Sequence, residues 1–155
     1  MSSRAWRGLV QLCRSERGGA LVELAVVLPV LVLIAIGVMD YGRVYYTSVT
    51  VANAARAGAE WGAYGKAGSS TDDANIQNFA KIEGAEAGTL TVTSSHVCRC
   101  SPSGGTVSCA NSCGGYGAPQ VYVTATATKS VALILRYPGL PASVTISRSA
   151  TFRAQ

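Results

Sequence analysis

The chain has 155 residues, enough for one modest domain, and is 48% apolar but only 14% charged. An ordinary soluble domain carries roughly 25% charged residues, so a solvated enzyme of this size fits poorly. Much of the net charge of +5 lies before residue 18, where Arg4, Arg7, Arg14 and Arg17 outnumber one acid, Glu16; no basic stripe interleaved with aromatics follows, which argues against a nucleic-acid partner.

The run from Ala20 to Met39 reads ALVELAVVLPVLVLIAIGVM, with Glu23 its single charge. As a helix it would rise about 30 Å, the thickness of a bilayer's hydrocarbon core. A transmembrane helix is therefore expected, with membrane lipid around it. The arginines before it outweigh Arg43, Arg56 and Lys66 after it, which Asp40 and Glu60 dilute. The positive-inside rule then keeps the N-terminus in the cytoplasm and exports the C-terminal part. Pro29 lies inside the run; it removes one backbone hydrogen bond and is expected to kink the helix. Glu23 costs a few kcal/mol in lipid unless it is paired. The helix macrodipole favours an acid near the N-terminus, and a nearby free amine would favour it more. The competing reading is a secretory signal, whose apolar stretch is about 7–15 residues long. This run is longer, contains Pro29 and offers only Ala35-Ile36-Gly37 as a small-x-small cut.

Helical character continues past the membrane. Ala52, Ala55, Ala59 and Gly62 recur at helical spacing on one face, where small residues admit a close backbone. That face packs either on a partner subunit or on the chain's own domain. Tyr41, Tyr45 and Tyr46 fall where the membrane–water interface should be. Gly65, Gly68, Ser69, Ser70 and Thr71 form a loop, so the first helix should run from about Gly19 to Tyr64.

A second helix is expected over Asp73 to Ala87, capped by Asp72 or Thr71, with Ile76, Phe79, Ala80 and Ile82 on one face and Gly88 as its stop. Strands are expected over Thr89 to Val97, Val121 to Thr128, Val131 to Tyr137 (as a central strand) and Val144 to Phe152, with a turn at Pro138-Gly139-Pro141. The fold class is α+β: a long N-terminal transmembrane helix, then a small exported domain with a short helix on a sheet of three or four antiparallel strands.

Cys13 precedes the membrane run, whereas Cys98, Cys100, Cys109 and Cys113 cluster in the exported part among glycines and Pro102. An even number of cysteines in an oxidising compartment reads as two disulfides stapling the loop at 97–117. Cys98–Cys100 would strain the bridge geometry. Of the remaining pairings, the nested one is favoured, Cys98–Cys113 with Cys100–Cys109. A zinc site is the rival, but C-x-C with C-x-x-x-C is not the usual ligand spacing. His96, the only histidine, reads as a partly exposed strand residue. No triad, acid pair or phosphate-binding glycine loop is legible, so neither an enzyme nor a cofactor is expected.

Gly18 and Gly19 after a basic leader, with Glu23 entering an apolar helix, resemble a type IV prepilin processing site. Leu28-Pro29, Asp40-Tyr41-Gly42-Arg43, the alanine-rich Ala52 to Ala59 and the ending Val144 to Arg153 narrow the resemblance to TadE-like minor pseudopilins of the tight-adherence (Tad/Flp) pilus system. Leu24 departs from that family, where an aromatic often follows the glutamate. The resemblance implies that residues 1–18 are a leader, cut between Gly18 and Gly19 by a prepilin peptidase. Residues 19–65 would then be the membrane helix and its periplasmic extension, and 66–155 the exported domain. It implies the bacterial inner membrane, with partners among pilin or pseudopilin subunits and the pilus assembly platform. The alternative is an uncleaved, membrane-anchored binding module that uses the stapled loop.

Overall fold

The computed structural model describes residues 18–64, 71–100, 104–115, 117–135, 139 and 141–154. The expected leader up to Arg17, the loop residues 65–70, Pro102, and residues 136–138, which include the end of the expected Val131–Tyr137 strand, lie outside the described residues. The chain divides into two units, residues 1–41 and 42–155, and each is described by itself.

Helix α1 spans Gly19–Tyr64 without a break, the extent expected from the sequence. Its first half forms the described part of the first unit. Leucine, valine and isoleucine side chains there are exposed, apart from the half-buried Ile36, and none of the most apolar window is buried in the protein. An apolar helix of this length with no protein around it is suited to lipid. The helix continues through Pro29, whose missing N–H deprives the Ala25 carbonyl of its ladder donor.

In the second unit, the same helix becomes half-buried because its composition changes from branched aliphatics to alanine and glycine. Val51, Ala54, Ala55, Ala59 and Ala63 are buried. Their small side chains let the helix lie close on the layer beneath. A second helix, α2, spans Asp73–Glu83 and buries Ile76 and Ala80 against it. It is shorter than the expected Asp73–Ala87. Leu90 and the Ala54 methyl occupy the space beside Gly84, the chain turns there, and Ala85–Ala87 continue as one 3-10 turn.

Asp72 caps α2. The Asn75 backbone N–H donates to its Oδ1 at 3.1 Å, and Asn75 Nδ2 donates to its Oδ2 at 2.6 Å. The side-chain and then the backbone donor of Asn75 hold the Asp72 carboxyl below its ordinary value. The stabilisation is therefore complete above the ordinary carboxylate range and is lost as pH falls through the lowered folded value. Asp72→Ala should lower the thermal midpoint of the second unit at neutral pH, and the gap from wild type should close on acidification, as melting followed by circular dichroism would show.

The sheet has strand order β2-β1-β3-β4 and is antiparallel throughout: β1 Thr91–Arg99, β2 Thr106–Val107, β3 Gln120–Ala132 and β4 Ser143–Arg153. Alternation turns Val92, Val123, Ala125, Ala127, Val131 and Ile146 toward the helices, where they complete the core. The other face is lined by hydroxyls. Thr91, Thr128 and Ser147 lie opposite one another across three strands, followed by Thr93, Thr126, Ser149 and by Ser95, Thr124, Thr151. Thr124 and Thr151 hydroxyls meet at 2.8 Å, those of Thr128 and Ser147 at 3.1 Å.

Two strand expectations need correction. Val131 to Tyr137 is not a strand of its own. β3 runs on through Lys129 and Ser130 because β4 pairs with it as far as Ala132↔Ser143. Leu133 N–H then donates to Ala142 O at 3.0 Å and closes the connection. β2 was not expected at all; it is two residues long, too short for a periodic signal.

Candidate anchoring and assembly site

The sequence-derived residues fall into three places. Gly18, Gly19 and Glu23 occupy the start of α1. Gly18 is in a short 3-10 turn, Gly19 is the first α-helical residue, and Glu23 follows one turn later. Nothing lies within 4 Å of where a side chain at either glycine would begin. Four residues of helix separate Gly19 from Glu23 by about 6 Å along the axis, and helical side chains lean toward the N-terminus. The Glu23 carboxylate is thus on the right side of its own helix to meet a charge at Gly19. Glu23 is exposed.

The small-residue face is the second place. Ala55 and Ala59 are fully buried against the chain's own domain, and Ala52 is half-buried. A Cβ at Gly62 would stand 2.7 Å from Val123 Cγ1, and one at Gly58 would stand 2.8 Å from the Ala80 Cβ. This stretch of the face therefore serves the domain's core. Its centre is better described by Val51, Ala55, Gly58 and Gly62. That spacing was available in the sequence, but Val51 and Gly58 were not read with the alanines. Pro29 belongs to the first unit and packs on nothing described there.

The cysteines are the third place. Cys98 bonds Cys109 and Cys100 bonds Cys113, with Cα atoms 5.2 and 5.4 Å apart. This corrects the nested pairing favoured from the sequence. The β1–β2 register explains the difference. Cys98 stands opposite Val107, so Cys109 is only two residues beyond it, whereas Cys109 is four residues beyond the position facing Cys100. Cys100 is left to Cys113, where the chain folds back with Cys113 N–H donating to Gly117 O at 2.7 Å. All four sulfurs are used in these bonds, which makes the cluster a staple on the end of the sheet.

His96 is half-buried on the helix-facing side of β1, and its Nδ1 has no hydrogen-bond partner. Among the described residues, no group of three His, Cys, Asp or Glu is placed to hold a metal ion. Trp61 stacks on Phe79 at 5.8 Å and Tyr64 meets Phe152 edge-on at 6.2 Å. Sequence reasoning treated Trp61 and Phe79 separately, because their pairing depends on how α2 docks on α1.

A scan against protein-family models matches residues 18–60 to the TadE-like protein family. Residues 18–60 are therefore similar to TadE-like proteins. No match was found among curated proteins or among solved structures. The TadE-like segment starts on Gly18 and contains Gly19, Glu23, Pro29, Ala52, Ala55 and Ala59. It stops before Gly62 and the cysteines. The one candidate span among the described residues, the helix Gly19–Tyr64, is consistent with single-pass membrane anchoring.

Proposed function

We propose that this protein is a minor pseudopilin that acts in assembly of a Flp-type pilus for surface adherence, and that a prepilin peptidase cuts it between Gly18 and Gly19. One coincidence supports the reading above all others. The TadE-like match begins at the residue before α1, and Glu23 lies one turn into that helix. Cleavage at Gly18 would remove the basic leader and leave an amine on Gly19. That amine adds a full positive charge to a helix end that already favours anions. It can neutralise Glu23 of the same chain or of a neighbouring subunit, which removes the cost of a carboxylate in lipid. The exported domain then faces the periplasm, where its cysteines oxidise, and its membrane helix contacts the assembly platform and other pilin subunits.

N-terminal sequencing of membrane-extracted protein tests the reading. Cells with the peptidase should yield a chain beginning at Gly19, and cells lacking it a chain that keeps its leader. An intact leader in both strains would favour the uncleaved anchored module.

A further inference from the structure

Charge is divided unevenly within the second unit. From residue 57 to residue 86 the acids Glu60, Asp72, Asp73, Glu83 and Glu86 are offset only by Lys66 and Lys81. From residue 87 to residue 155 the chain has Arg99, Lys129, Arg136, Arg148 and Arg153 and no aspartate or glutamate. The fold keeps the two groups apart. α2 lies over β1, where Ser94 Oγ donates to Asp73 Oδ1 at 2.6 Å and Gln77 Nε2 donates to Ser94 Oγ at 3.3 Å. The second half of α1 lies over β3 and β4: Gly58 and Gly62 approach Ala125 and Val123, and Arg148 Nη2 donates to Ser48 Oγ at 2.8 Å. In the order β2-β1-β3-β4, β4 is the sheet edge farthest from α2.

The outward side of the two helices is apolar as well as acidic. Phe79, Ile82 and Glu83 share one face of α2 by their spacing. Phe79 is 42% exposed and Ile82 60%, while Ile76 and Ala80 of the same helix are fully buried. Trp61 of α1 stacks on Phe79, and an open concavity of about 290 Å³ has Ala57, Glu60, Trp61, Tyr64 and Phe79 in its lining. Glu60 and Glu83 are exposed beside these rings. An exposed apolar patch marks a contact surface, and carboxylates at its rim select a basic partner.

β4 offers that basic surface on a second copy of the chain. No described strand lies beyond it, and its pairing with β3 runs from Tyr122↔Arg153 to Ala132↔Ser143 without a bulge. Arg148 and Arg153 are exposed on this edge, and the bonds of Arg148 go to neutral oxygens, Ser48 Oγ and the Ser147 carbonyl. Arginines on an open edge oppose its pairing with a like edge, so two β4 strands repel, whereas β4 and the helix face attract. We propose that the helix face of one copy, with Glu60, Trp61, Phe79 and Glu83, binds the β4 edge of another through Arg148 and Arg153. Guanidinium groups suit both parts of that face, because they pair with carboxylates and stack on aromatic rings. The contact is heterologous: each bound copy still presents an open edge or an open face, so association passes beyond a dimer. The inference goes beyond processing at Gly18 and does not depend on it.

The test uses the full chain carrying Cys13→Ser in an uncharged detergent, with its weight-average mass followed by light scattering. At low salt the mass should rise with concentration past that of a dimer. At about 0.5 M salt, where the Debye length is only a few ångströms, it should fall to that of one chain. Glu60→Arg with Glu83→Arg should abolish the rise, and so should Arg148→Glu with Arg153→Glu. Mixing these two variants should restore it, because a basic face then meets an acidic edge and an acidic face meets a basic one. Melting followed by circular dichroism separates loss of contact from loss of fold. A single-chain mass for the unaltered faces at low salt overturns the proposal. Association that survives salt and both variants also overturns it, and belongs to the apolar helix in detergent. So does a mixture that stays monomeric although both variants melt as the parent does.

Discussion

Glu23→Ala is expected to reduce pilus assembly to background while leaving the chain in the membrane. The substitution removes a charge that costs a few kcal/mol in lipid, so insertion should improve if anything. What is lost is the partner for the amine at Gly19. In a low-dielectric setting an unpaired charge is far more costly than in water, and a subunit that presents a bare amine docks poorly against the next. Glu23→Gln separates charge from shape, because it keeps the size and a hydrogen-bonding group. It should fail as Glu23→Ala does. The readout is the ratio of protein in the sheared surface fraction to protein in the membrane fraction, alongside N-terminal sequencing to show that cleavage has occurred. Normal surface assembly by either variant would remove the counter-charge from the account.

The second large effect concerns Gly62. In an exposed helix, replacing glycine by a larger residue gains up to about 1 kcal/mol from propensity. Here the added Cβ would lie 2.7 Å from Val123 Cγ1 and 2.9 Å from Ile76 Cδ1, two residues at the centre of the core. Close packing leaves these neighbours little freedom to move, so the overlap outweighs the propensity. Gly62→Leu should destabilise the second unit by about 2–3 kcal/mol or more, the upper part of the range for overpacked cores. For a domain of this size that is a fall in thermal midpoint of roughly 10 °C. Gly42→Ala is the matched control, since nothing lies within 4 Å of its new methyl, and it should be neutral or stabilising. Equal melting of Gly62→Leu and wild type, in the full detergent-solubilised chain, would show that the helix does not sit on the sheet in this way.

Features encoded by local chemistry were legible in the sequence. The extent of α1 follows from an unbroken apolar run, then alanines, then a glycine–serine loop. β4 and the core of β3 follow from strict alternation, and the Asp72 cap from its position before a helical pattern. Features that depend on how elements meet were not legible. α2 ends at Gly84, where Leu90 and Ala54 leave no room for a side chain. The length of β3 depends on how far β4 accompanies it. Disulfide order depends on a two-residue strand that sets the register of Cys98. Gly18, Gly19 and Glu23 lie within six consecutive residues, so no tertiary structure is needed to bring them together.

The hydroxyl rows on the outer side of the sheet bear on behaviour in a crowded envelope. These rows of short alcohols are neither greasy nor ionic, and two cross-strand pairs of them already bond to each other. Molecules that collide broadside on that coat find no adhesive and part again. On the same face the rows give way to Val97, Tyr122 and Arg153 toward the stapled end, so any stickiness of this side is concentrated there.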